Sequence, residues 1–341
     1  MIRILERLCR FEAPSGKEDS LRDFLQKQIG GAAETRVDAA GNLIVFKKGK
    51  KRPKVRLMLD AHMDEVGLIV TYITDGGLLK FSTVGGIDAS VLLGRRVVFD
   101  GAVVGVIGAK PVHLMQPEEQ KKLPSIDAMH IDIGAKSREE AEALLSVGDM
   151  AVFDSDFLRL GEHRIKARAI DDRAGCAILL SLLLSELEYD MTFVFSVQEE
   201  VGLRGAQTAA YAVEPQAAIV VEATTAADFA GTPADRQVCR LGAGAALSFM
   251  DGATLYDKGY YDAAMETAAR LGIPCQPKAA VAGGNNAGSI HKSRAGVRTL
   301  AVSVPCRYIH SASCLADLRD IEASAALVRA MAEEIASGNL E

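Results

Sequence analysis

Tryptophan is absent from the 341 residues, and aromatic residues of all kinds make up only 5%. Little is left for the broad aromatic platforms on which sugar clefts rest their ligands. Basic charge is also scarce: 39 Lys and Arg stand against 45 Asp and Glu, for a net charge of −6. Phosphate recognition needs clustered Lys and Arg, so nucleic acid is excluded as the main partner. The basic run at 47–54 (KKGKKRPK) reads as a solvated loop between two strands. No stretch reaches the roughly 18 apolar residues of a membrane helix. The first segment, MIRILERLCRFEAPSG, lacks the apolar core of a signal peptide. The six cysteines form no CxxC pair and are too sparse for a disulfide framework. These absences lead us to expect a cytoplasmic protein without a membrane span.

What is present is an ordinary globular composition, 49% hydrophobic and 25% charged. At roughly 150 residues per domain the length suggests two domains. Residues 1–31 read as helix, interrupted at Pro14-Ser15-Gly16. Ser15 precedes Glu18 by three residues, the spacing of a helix capping box. Strands are expected at 42–46 (NLIVF) and 55–59 (VRLML). From residue 66 to about 161, short β-rich runs alternate with Gly and Asp turns, the texture of a small barrel or sandwich. Beyond residue 169 helices and strands alternate again. Helices are expected at 171–187, 203–212, 260–271 and 317–336, and strands at 192–197, 217–221 and 299–304. This βαβ rhythm implies a sheet covered by helices on both faces. The expected fold is α/β: residues 1–66 and 164–341 form one domain, and 67–163 form an inserted β-rich unit.

The chain has only six histidines, and two follow apolar strands directly: His62 in VRLMLDAHMDEVG and His310 in TLAVSVPCRYIHS. Open α/β sheets bind ligands at such strand ends. Asp64 lies two residues past His62, where it could hold the second ring nitrogen. Asp171 and Asp172 open an apolar helix, a place where one acid serves as a cap. The strand at 192–197 runs into Glu199 and Glu200, and the strand at 217–221 ends in Glu222. Neighbouring side chains leaving a strand point in different directions. One carboxylate of a pair can therefore bind a cation while the other acts as general base toward water. Each feature alone is bland. Together they supply the imidazoles and carboxylates that suit zinc, cobalt or manganese. His113 and His130 read as surface or structural, and His291 as a cavity or helix residue.

Four motifs in order, AHMDEVG, AIDDRAG, VQEEVGLRGA and CRYIHS, resemble the tetrahedral (TET) aminopeptidases, the glutamyl and deblocking group of co-catalytic di-zinc exopeptidases. APSGKE, AAGNLIV, VGGID and AGGNNAGSIH extend the resemblance over nearly the whole chain. The resemblance implies an α/β catalytic domain, a mixed sheet flanked by helices, with an inserted small β-barrel for dimerisation or as a lid. It implies two divalent metal ions per subunit, zinc foremost. Asp171 would bridge them, His62 and Glu222 would complete one site, and Glu200 and His310 the other. Glu199 would be the general base and Asp64 would orient His62. Peptide substrates and homo-oligomers, dimers that build dodecamers, follow from the same likeness. Three departures stand out: Glu222 where the family usually has Asp, GGNNA with Asn286 where it has GGTDA, and Cys314 where it often has Glu.

Two rival functions remain at this level. Some relatives of the family have been labelled endoglucanases, and paired carboxylates suit glycoside hydrolysis. Such an enzyme gives no reason for two strand-end histidines. A non-catalytic metal-binding relative is the other rival, motivated by Asn286 and Cys314. Sequence leaves the preferred N-terminal residue open, with Arg236 and Arg240 as candidates for favouring acidic side chains.

Overall fold

The structure is a computed structural model that describes residues 1–340, the side chain of Glu119 excepted. Its helices are α1 Ile2–Leu8, α2 Asp19–Ile29, α3 Arg138–Glu142, α4 Ile170–Leu183, α5 Arg204–Val213, α6 Lys258–Leu271, α7 Ala287–Ile290 and α8 Leu318–Ser337. The strands up to the barrel's last are β1 Glu34–Val37, β2 Leu43–Lys47, β3 Leu57–His62, β4 Gly67–Ile73, β5 Leu79–Val84, β6 Arg96–Phe99, β7 Val103–Gly108, β8 His130–Asp132 and β9 Met150–Phe153. There follow β10 Leu158–Leu160, β11 Arg164–Ala167, β12 Met191–Ser196, β13 Ala217–Thr225, β14 Ala245–Leu247, β15 Cys275–Pro277, β16 Arg298–Arg307 and β17 Cys314–Asp317.

The large sheet runs β1-β2-β12-β3-β13-β16-β17-β11-β10, with β14 and β15 attached beside β16. Its central strands β12, β3, β13 and β16 are mutually parallel, while the flanking pairs are antiparallel. β3 is buried at every position, which is why LMLDAH reads as a continuous apolar run with two polar interruptions. One face of the sheet packs Leu57, Leu59, Phe193, Ile219 and Leu300 against α1, α4 and α8. The other packs Met58, Val194, Ala218 and Val220 against α5 and α7. α4 is apolar on nearly all sides because it lies between the sheet and other helices. Both faces are thus covered, as the βαβ rhythm predicts.

Strands β4-β5-β8-β7-β6-β9 close into a barrel with its own apolar interior. Closure removes the free edges that these short strands would expose. The barrel strands span 67–153, and the next two strands, β10 and β11, belong to the large sheet. The predicted break at Pro14-Ser15-Gly16 separates α1 from α2. The capping box is a misreading. The residue before α2 is Glu18, and it makes no side-chain cap bond. Ser15 and Glu18 are instead drawn away by distant partners, described below.

Candidate metal centre

Because β12, β3, β13 and β16 run in parallel, their carboxyl ends share one edge of the sheet. Ser196 pairs in register with His62, and Glu222 with Ser303. The chain leaving β12 carries Glu199 and Glu200 over this edge, and the chain leaving β16 brings His310. The start of α4 supplies Asp171 and Asp172, which have non-helical backbone angles and are joined by a cis peptide bond. Three residues at or beside the site, Ala169, Gln198 and His310, sit in the left-handed region at φ 56°, 55° and 60°. Such conformations cost about 1 kcal/mol or more for non-glycine residues and persist where surrounding structure dictates them.

The two carboxylate oxygens of Asp171 face two different imidazoles. Oδ1 lies 3.2 Å from His62 Nε2, and Oδ2 lies 3.5 Å from His310 Nε2. Glu222 Oε1 reaches His62 Nε2 at 3.3 Å, and Glu200 Oε2 reaches His310 Nε2 at 3.1 Å. Each imidazole is held from behind. His62 Nδ1 donates to the Asp64 carbonyl at 3.1 Å, with the Asp64 carboxylate at 3.3 Å. His310 Nδ1 donates to the carbonyl of Gly86 at 2.7 Å, so the barrel's VGGID loop orients a residue of the large sheet. With both Nδ1 atoms engaged, both Nε2 atoms turn to the carboxylates.

Ligand-capable atoms of His62, Asp171 and Glu200 lie within 4.8 Å of one another, and so do those of His62, Asp172 and Glu222. Asp172 is nonetheless largely used up. Its Oδ1 accepts from Gly175 N at 2.9 Å and its Oδ2 from His62 N at 3.3 Å, so it is the acid that caps the helix. Asp171 makes no such bond and is free to face the cluster. The apolar-helix reading accounted for one of the two acids, and the structure says which.

Burial and mutual repulsion shape the charges. Burial pushes the Glu222 carboxyl up to about 8, and it pushes Glu199 and Glu200 above the usual range. Burial raises Asp172 as well, and neighbouring Glu222 adds to it. Burial would lower both imidazoles, but their carboxylate neighbours overcome it: His310 rises to about 11 and His62 rises well above its ordinary value. Asp171 is held below the usual carboxylate range, because its hydrogen bonds to the two imidazoles outweigh burial. The cluster therefore draws positive charge to the space between its carboxylates. Glu222 Oε2 is buried without a hydrogen-bond partner.

Asp64 does more than orient His62. Its Oδ1 accepts from Glu199 N at 3.0 Å, and its Oδ2 accepts from Glu200 N at 3.1 Å and from Ser15 Oγ at 2.6 Å. Glu18 Oε1 accepts from Gln198 N at 3.0 Å and from Gly16 N at 2.9 Å. The segment before α2 thus braces the turn that presents Glu199 and Glu200. Beside it, Glu65 binds the buried guanidiniums of Arg168 at 3.0 Å and Arg173 at 3.3 Å. Sequence reasoning missed Ser15 and Glu18 in this role, although APSGKE had marked the segment.

A cavity of about 290 Å³ opens onto the cluster, lined by Asp171, Glu222, His310, Thr224, Ser303 and Lys278 among others. Arg236 and Arg240 are exposed and form no part of its wall. Asn286 is fully buried beneath the site and is also absent from the wall. Its amide donates to Asp60 Oδ2 at 2.6 Å and to Ser196 Oγ at 2.8 Å. Cys314 lines a small hollow with Arg168, Glu200 and His310. His291 Nδ1 bonds the Ala287 carbonyl at 2.7 Å, a local helical contact. A larger hollow of about 750 Å³ between α5 and α7 holds neither a histidine nor a carboxylate.

Residues 41–327 match the family model described as M42 glutamyl aminopeptidase. The chain belongs to that family. It is 34% identical to the lysyl aminopeptidase of Pyrococcus furiosus, over 97% of this chain and 96% of the relative. It is 30% identical to the glutamyl aminopeptidase of Lactococcus lactis, over 96% and 94%. Among solved structures, the TET aminopeptidase of Thaumarchaeota archaeon SCGC AB-539-E09 superposes with a TM-score of 0.95 at 34% identity, covering 99% of this chain and 97% of that one. The TET1 peptidase of Pyrococcus horikoshii, which can assemble into a tetrahedron or a large octahedral shell, gives 0.85 at 35% identity, covering 98% of each chain. The chain is therefore an aminopeptidase with the M42 fold, from a metallopeptidase family that works with divalent metal. No helix among the described residues is long and apolar enough to cross a membrane.

Proposed function

We propose that this aminopeptidase uses two divalent cations. Asp171 would bridge them, His62 and Glu222 would hold one, and Glu200 and His310 the other. The observation that carries this reading is the divided Asp171 carboxylate, with one oxygen toward each imidazole. The residues suit the group. Carboxylates and imidazoles converge, and the Glu222 Oε2 lone pairs are buried and unmatched. Such a cluster is costly without positive charge. A mixed nitrogen and oxygen donor set favours zinc, with cobalt or manganese as substitutes. Two cations held there would acidify a water and polarise the scissile carbonyl.

The chain's own residues supply the rest. Glu199 is half-buried, near enough to His62 and Glu222 for their charges to act on it, and it ligates nothing in the scheme above. It would take a proton from the attacking water and deliver it to the leaving amine. Asp64 would hold the Glu199 and Glu200 backbone in place while orienting His62. The unit of residues 1–66 and 164–341, whose sheet β10 extends at one edge, would carry the chemistry. The barrel within 67–163 would complete the site through Gly86 and take part in homo-oligomer contacts, as dimers or larger shells. A cytoplasmic site of action, with peptides as substrates, fits this reading.

A glycosidase needs two carboxylates and no imidazole, so the paired histidines favour the peptidase. The test is Glu199→Gln with metal analysis. Metal content should match the wild type while turnover of aminoacyl-nitroanilides falls by about 100-fold or more. Undiminished turnover would remove Glu199 from the base role. Full activity of a verified metal-free preparation would overturn the di-metal reading as a whole.

A further inference from the structure

Aromatic residues are only 5% of the chain, yet two of them stand side by side at the surface next to the cluster. The Phe229 and Tyr308 ring centroids lie 5.7 Å apart, and the residues are 41% and 49% exposed. Of the three ring pairs among the described residues, this is the one whose members are both exposed. Single exposed rings are ordinary, but this couple is held in place. Arg307 reaches both carboxylate oxygens of Asp228, Nε to Oδ1 at 2.6 Å and Nη2 to Oδ2 at 2.8 Å. Its guanidinium also lies 5.5 Å from the Phe229 ring centroid. Tyr308, like His310, takes a left-handed backbone angle, φ 60°, a strain of the kind that gathers at functional sites.

Topology puts the pair at the rim of the cavity. β13 and β16 run in parallel with Thr225 opposite Cys306, so both chains leave the sheet at the edge that carries the cluster. Ala226 N donates to the Cys306 carbonyl at 2.7 Å and keeps the departing chains together. Thr225, Ile309 and His310 line the cavity. Phe229 follows Thr225 by four residues, and Tyr308 directly precedes Ile309.

We infer that Phe229 and Tyr308 form the subsite for the residue just beyond the scissile bond, and that this subsite favours apolar and aromatic side chains. The inference rests on the reading that places the reaction at the Asp171 cluster. With the N-terminal residue in the cavity and its carbonyl at the cluster, the rest of the peptide leaves over the rim. An apolar second residue would cover ring surface that now meets water. The rings are already fixed, so they would lose little freedom on contact. A glycine offers nothing to cover them. An acidic side chain would find the Arg307 charge already matched by Asp228.

The experiment first finds the N-terminal residue X whose nitroanilide the metal-loaded enzyme turns over fastest. It then compares kcat/KM on the dipeptides X-Phe, X-Leu, X-Asp and X-Gly, and on the amide of X, which has no second residue. Wild type should favour X-Phe and X-Leu over X-Gly by about 10-fold. Phe229→Ala should remove most of that preference, through KM more than kcat. Tyr308→Asn, which tolerates the left-handed backbone while deleting the ring, should do the same, and Tyr308→Phe should keep the preference. Equal losses on all five substrates would mean that the rings only support the His310 loop. An unaltered preference with a changed oligomer size, read by sedimentation, would mean that they cover a subunit contact instead. If wild type shows no preference beyond the scissile bond, the inference fails alone. Undiminished turnover by Asp171→Asn would overturn the site reading beneath it.

Discussion

Asn286→Asp tests how the floor of the site is built. The wild-type amide donates to Asp60 Oδ2 at 2.6 Å and to Ser196 Oγ at 2.8 Å, and both Asp60 and Asn286 are fully buried. Burial pushes the Asp60 carboxyl up to about 6, against the hydrogen bonds that lower it. At pH 7 it is therefore ionised. A second carboxylate at about 3 Å would repel it by roughly 5 kcal/mol at an effective dielectric of about 20. The cheaper outcome is that the pair keeps one proton, whose O–H replaces the amide donor. Holding that proton at pH 7 on a group with an ordinary value near 3.9 costs about 4 kcal/mol, of which wild-type Asp60, protonated up to about pH 6, already bears about 3 kcal/mol. The sign follows from linkage. The pair's folded value lies above its unfolded one and above that of wild-type Asp60, so the two proteins run parallel below about pH 6, and above it the variant's deficit grows by about 1.4 kcal/mol per unit. Urea unfolding of both proteins at pH 5, 6, 7 and 8 measures this, with protein and metal concentrations fixed. Asp60 titrates in both proteins, so the difference between them is the readout. A deficit independent of pH would mean that the lost N–H matters and charge does not. No deficit at pH 8, where about 2.7 kcal/mol is expected, would refute the buried-pair account.

Two further perturbations follow from the same geometry. Ser15→Ala removes the 2.6 Å bond to Asp64 and should cost about 1–2 kcal/mol of stability. It should lower kcat more than it changes KM, with metal content kept; a change confined to KM would place Ser15 in binding. Metal affinity should fall on acidification, because His310, raised to about 11, and His62, also raised, carry protons at neutral pH that a cation must displace. Zinc titration calorimetry in buffers of different ionisation enthalpy should register proton release. Binding without release would mean that these imidazoles are not ligands.

Much of the fold was legible because the strands at the sheet centre are buried on both faces and spell continuous apolar runs, as LMLDAH and AAIVVEATT do. The barrel was legible for the opposite reason. Its strands alternate and are punctuated by glycine. Three-residue strands such as β8, β10, β14 and β15 were not legible, since three residues show no period. Ser15 and Glu18 failed more instructively. Their spacing satisfied a local rule, but Asp64 and Gln198 claimed the same atoms from across the molecule. A local pattern gives no weight to a partner 49 or 180 residues away.

The site divides along the same line. His62, Glu200, Glu222 and His310 could be suspected from sequence because each follows an apolar strand, and parallel strands must deliver their carboxyl ends to one edge. That argument needs only direction and length. It says nothing about the walls. Arg236 and Arg240 looked suitable for a pocket wall because charge is visible in sequence and burial is not, yet both are exposed and away from the cavity. Asn286 is a second such case. Its departure from the family pattern pointed to the substrate pocket, yet it lies under the sheet edge and answers to Asp60. Residues at strand ends are thus constrained by topology and can be read early, whereas those beneath and around them take their partners from distant parts of the chain and are defined only once it has closed.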